Sequence, residues 1–71
     1  MEQATEQLYD VIIYEIATGK IDAIVGERMQ RYKGYYNAEK RLETAFMRIN
    51  DRFNVEIVES GRYKKGDVFD G

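Results

Sequence analysis

Cysteine, histidine, proline and tryptophan are all absent from this chain of 71 residues, and serine occurs once, at Ser60. Each absence closes a class of chemistry. Without cysteine there is no disulfide staple, thiolate metal site or thiol nucleophile. Without histidine there is no imidazole base, no imidazole metal ligand and no ordinary switch near neutral pH. Ser60 precedes Gly61 in a turn-forming pair, and with no histidine to activate it, it reads as a turn residue. No apolar run reaches the length that a bilayer requires. The polar start Met1-Glu2-Gln3-Ala4-Thr5-Glu6 lacks the make-up of a secretory signal, so the cytoplasm is the expected setting and no membrane partner is expected.

What is present is an ordinary globular composition: 44% hydrophobic, 34% charged and a net charge of −2. That hydrophobic content argues against intrinsic disorder. A chain this short forms one small domain, in which burial and chain entropy nearly cancel. With no disulfide or thiol-bound metal to help, a homo-oligomer is expected. The net charge hides an asymmetry. Residues 1–27 carry −5, residues 28–52 carry +4 and residues 53–71 carry −1. An acidic first third thus faces a basic middle.

The hydrophobic spacing predicts a mostly α or α+β fold. Two or three packed helices would be followed by a short C-terminal β-hairpin, in one domain over residues 1–66 with a loose tail at 67–71. Leu8, Ile12 and Ile16 recur every four residues and predict a helix over about 4–18, although Val11-Ile12-Ile13-Tyr14 is also good strand sequence. Gly19 suits the left-handed position after a helix. Asp22 can cap a second helix over about 22–35, with Val25, Met29, Tyr32 and Tyr36 as its stripe. Asn37 can cap a third over about 38–53, with Leu42, Ala45, Phe46, Ile49 and Phe53 inward. The tail predicts a hairpin over about 55–65 about a Ser60-Gly61 turn, pairing Glu59 with Arg62, Val58 with Tyr63 and Glu56 with Lys65. The expected core is Leu8, Ile12, Ile16, Val25, Met29, Leu42, Phe46, Ile49 and Phe53.

Few residues could carry chemistry. Glu15 falls within the arc of the first expected helix that holds Leu8, Val11 and Ile12. A carboxylate against an apolar stripe has a raised pKa, unless an arginine of the same fold pairs with it. The six glycines are scattered and form no phosphate-cradling loop, and Asp67 and Asp70 lack calcium-loop spacing. No catalytic residue, cofactor or metal is expected.

Recognition remains. Six tyrosines in 71 residues, with basic residues among three of them, are the residue types enriched at interface hot spots. Tyr14 and Tyr35 fall off the main stripes of their expected helices. With Arg28 and Arg31 they form the expected partner-binding set. The leading expectation is a small non-enzymatic protein-binding module, an inhibitor or adaptor, with a composition that suits an accessory protein of phage or plasmid type. The alternative is nucleic-acid or nucleotide binding through residues 28–41, by Arg28, Arg31, Tyr32, Lys33, Tyr35, Lys40 and Arg41, since bases neutralise phosphates and tyrosines stack on unpaired bases.

Overall fold

The computed structural model describes residues 7–31 and 36–70. In chain order these form β1 (Tyr9–Glu15), β2 (Ile21–Met29), α1 (Ala38–Phe46) and β3 (Phe53–Glu59). The strands make one antiparallel sheet in the order β2-β1-β3. β1 is therefore central, and α1 carries the chain from one edge strand to the other. The architecture is mostly β with a single short helix, which corrects the expected bundle of two or three packed helices. Among the described residues no helix is long and apolar enough to cross a membrane.

The first two expected helices are strands for different reasons. Val11, Ile12, Ile13 and Tyr14 form a continuous apolar run with no alternation to mark it as β. Both faces of β1 are covered, so both sets of side chains are apolar, and periodicity cannot separate such a strand from a buried helix. In β2 the cause is bulging. Its pairing with β1 shifts register three times, so residues 21–29 lie against only Tyr9–Tyr14. Each extra residue breaks the two-residue alternation. Val25 and Met29 both pack on the helix-facing side, and a four-residue spacing is one that strand and helix alike place on a single face.

The expected hairpin is also replaced. β3 pairs along its whole length with β1, from Tyr9 opposite Glu59 to Glu15 opposite Phe53. Glu56 therefore sits opposite Ile12 and Val58 opposite Asp10. An isolated two-stranded ribbon is marginal, whereas a third strand added to a covered central strand completes a sheet. The Ser60-Gly61 turn is present, with Gly61 at φ 83° and the Arg62 N–H donating to the Glu59 carbonyl at 3.1 Å. It sends the chain across the sheet rather than back along β3.

The third expected helix starts at its cap. The Asn37 side chain accepts the Lys40 N–H at 2.8 Å, satisfying one of the donors that a helix start leaves open. It ends at Phe46, well short of residue 53. Ala38 and Ala45 are buried against Val11 and Val55, and Leu42, Ile49, Ile57, Val25 and Met29 close around them. Small alanines let the helix lie close to the sheet. Phe46, one position beyond Ala45, is turned away from that contact.

The opposite face of the sheet is covered by the C-terminal segment. Ile12 and Ile21 are fully buried yet stand outside the helix-side cluster. Each such side chain contributes roughly 1.5–3 kcal/mol by leaving water. The Ile21 N–H donates to the Asp67 carbonyl at 2.8 Å, and the Phe69 N–H donates to the Gly19 carbonyl at 2.8 Å. The Phe69 ring packs on Tyr14 at 4.7 Å and on Tyr63 at 5.6 Å between centroids. Residues 67–70, expected as part of a loose tail, thus clasp the start of β2 through a bridge between Lys20 and Val68.

Candidate functional site

The two ends of the sheet differ in kind. At one end lie the start of β1 and the finishes of β2 and β3. Asp10, only 5% exposed, joins them. Its Oδ1 accepts the Arg28 N–H at 2.9 Å and its Oδ2 accepts the Gly61 N–H at 3.0 Å. One carboxylate therefore holds the β2 bulge and the turn after β3 to the central strand. Arg28 takes the left-handed conformation there, at φ 54°. Lys64 and Lys65 border the same depression, with Tyr63 and Ser60.

At the other end lie the finish of β1, the start of β3 and the last turn of α1. Ile16 is 55% exposed, Phe46 61% and Met47 80%. Ile16 and Phe46 line one groove with Ile49 and Phe53, edged by Asn50 and Asp51. Both had been expected in the core. Ile16 instead follows β1 into the turn, where its N–H donates to the Arg52 carbonyl at 2.9 Å.

The expected site residues are dispersed. With Ile21–Met29 a strand, no helical face aligns Arg28 with Arg31. Arg28 faces the Asp10 depression, whereas Arg31 pairs with Glu39 at 2.8 Å and lies over the Tyr9 ring at 5.6 Å. Lys40 and Arg41 are on the helix, beside a separate groove with Met29, Tyr36 and Thr44. Tyr32, Lys33 and Tyr35 lie outside the described residues. Tyr14 is half-buried under Phe69, and its hydroxyl accepts from Asn54 Nδ2 at 3.3 Å.

No protein-family model, no curated protein and no solved structure matches this chain. The site must be read from its own chemistry. Glu15 accepts from Arg52 Nη2 at 2.9 Å and from the Thr18 hydroxyl at 2.9 Å. These two hydrogen bonds hold its carboxyl below the ordinary carboxylate range, the direction opposite to a general acid. Among the described residues no three acidic side chains group to hold a metal ion. The surface presents an apolar end and a polar, cationic end.

Asp10, Lys64 and Met47 were not singled out by the sequence patterns, and Gly61 and Lys65 entered only as turn and hairpin residues. One signal was available for Asp10. Aspartate is depleted from strands, so an aspartate abutting Val-Ile-Ile-Tyr marks a special position once the run is read as β.

Proposed function

We propose that this chain is a cytoplasmic, non-enzymatic protein-binding module of adaptor or inhibitor type. Its docking surface is the apolar end, and the first protein it docks is a second copy of itself. The observation that carries this reading is the exposure of Ile16, Phe46 and Met47 at one end, beside the groove floored by Ile49 and Phe53. Exposed apolar groups clustered with a polar rim mark interaction surfaces.

The rim favours a second copy. Arg48 and Asp51 flank the patch in the chain, and among the described residues neither is in an ion pair. A two-fold interface places each residue of one copy against its complement on the other. A rim with one open base and one open acid complements itself, whereas a partner of single sign would satisfy half of it. The small core points the same way. Among the described residues the buried apolar ones are Val11, Ile12, Ile21, Val55 and two alanines, and chains this small commonly complete their cores by association. Dimerisation through this end leaves the Asp10 ends free and presents them twice, which is an adaptor's geometry.

Sedimentation equilibrium of the full chain tests the reading. The expected result is a dimer that Phe46→Ser with Met47→Ser converts to a monomer of unchanged circular dichroism. A wild-type chain that remains monomeric at high micromolar concentration overturns it.

A further inference from the structure

We propose that the depression at the Asp10 end is a phosphoryl-binding site, held by the Arg28 guanidinium and the ammonium groups of Lys64 and Lys65. This goes beyond self-association and stands or falls independently of it.

Backbone geometry provides the first argument. Arg28 is the one non-glycine with positive φ among the described residues. A side chain in that conformation costs roughly 1–2 kcal/mol, which glycine does not incur. The structural task at this position is performed by the backbone, through the N–H that Asp10 accepts. Glycine would perform it with less strain. What arginine adds is the guanidinium, held at the depression by a bulge that Asp10 fixes. Strain of this kind in an over-determined backbone is found at binding sites.

The second argument is convergence. Arg28 arrives from β2, and Lys64 and Lys65 arrive from the segment after β3, at one open depression of about 360 Å³. Among the described residues none of the three cations is in an ion pair. Two acids also border the depression, Asp10 and Glu27. Both Asp10 oxygens already accept backbone N–H groups, so its charge is engaged with the fold. The cations bordering the depression outnumber the acids by three to two; beyond its margin Arg62 lies over the Tyr63 ring at 5.6 Å, while Asp67 accepts the Lys64 N–H and Asp70 accepts from the Tyr63 hydroxyl. Ser60 supplies a hydroxyl at the margin.

The third argument is ligand geometry. An arginine fork with flanking ammonium groups and a hydroxyl matches the oxygens of a phosphate. A carboxylate would use the fork and leave the lysines idle. The phosphate could belong to a free polyphosphate or nucleotide, or to a nucleic-acid backbone, and titration separates these sources.

Amide and guanidinium NMR shifts of the full chain would be followed with pyrophosphate, with a nucleoside triphosphate and with a short single-stranded oligonucleotide. The expected response is confined to Arg28, Ser60, Gly61, Lys64 and Lys65. Arg28→Gly should weaken binding about tenfold or more, equivalent to about 1.4 kcal/mol, while melting at the wild-type temperature or above it. Arg28→Asn, also tolerant of the left-handed region, should behave alike, and Lys64→Ser with Lys65→Ser should weaken binding without relieving strain. The helix-side pair Lys40→Ser with Arg41→Ser should bind as wild type. Oligonucleotide affinity above that of pyrophosphate, falling steeply with salt, assigns the phosphate to a nucleic-acid backbone. Equal affinities assign it to a free ligand. Unshifted spectra with all three probes, full affinity in Arg28→Gly, or a response centred on Lys40 and Arg41 would each overturn the proposal.

Discussion

The two ends of this sheet solve the same problem by opposite means. Where strands finish, backbone groups and side chains lose their neighbours. At the Asp10 end a buried carboxylate gathers two stray N–H groups and closes the end from within. At the Ile16 end Ile16, Phe46 and Met47 are left exposed by the described residues. The lesson concerns cooperativity. The polar end is closed within one chain and carries strain at Arg28, whereas the apolar end is the one that the self-association proposed above would complete.

The sharpest way to break this comparison is to remove the carboxylate. Asp10→Ala leaves two part-buried donors without their acceptor, and hydrogen bonds to a charged group contribute about 1.5–3 kcal/mol each. Urea unfolding should therefore show a loss of roughly 3–6 kcal/mol. A loss within the error of the wild-type value would mean that the polar end is not closed by Asp10. The same experiment sharpens the contrast when repeated at several protein concentrations. If the proposed dimer forms, the wild-type and Asp10→Ala midpoints should both rise with concentration, because association stabilises a folded state.

A smaller effect is expected where the C-terminal clasp crosses between the ends. Gly19 has φ 80°, and a Cβ there would stand 2.9 Å from the Phe69 carbonyl oxygen. Gly19→Ala should cost about 1–2 kcal/mol from the left-handed backbone alone. It should also free Phe69 from Tyr14, read as a change in near-ultraviolet circular dichroism. An unchanged aromatic signal would show that the clasp does not depend on this turn.

The smallest effect belongs to Glu15, at the margin of the apolar end. Its carboxyl is held below the ordinary value when folded, chiefly by Arg52 and then by Thr18. A lowered folded pKa stabilises the protein above the unfolded carboxylate value, and that contribution is lost as pH falls through the folded one. Arg52→Gln should therefore make the acid limb of the stability profile shallower. An identical limb in the variant would show that this exposed pair does not couple to folding.

These contrasts also show what could be read in advance. Caps and turns were legible, because they depend on a few neighbouring residues. Asn37 caps α1, and Gly19 and Gly61 take left-handed conformations. The ion pair that neutralises Glu15 as an acid was a foreseen option. β1 and β2 were misread as helices, since the run at Val11–Tyr14 is buried on both sides, the bulges in β2 blur its alternation, and the four-residue spacing of Val25 and Met29 fits a strand face as well as a helical one. The cationic depression was hidden for a related reason. Arg28 and Lys64 are far apart in sequence and meet only because β3 pairs with β1 and the turn at Gly61 returns the chain to Asp10.

By itself the sequence determined the local stereochemistry and the chemical inventory. A cap, a left-handed glycine and the lack of histidine or cysteine do not depend on what packs where. Tertiary structure decided the rest: helix or strand for the apolar runs, partner for the third strand, and inside or outside for Phe46 and Asp10. The physical reason is that short apolar segments have nearly equal local preferences. Burial, a tertiary quantity of several kcal/mol per large side chain pair, outweighs propensity differences of about 1 kcal/mol or less.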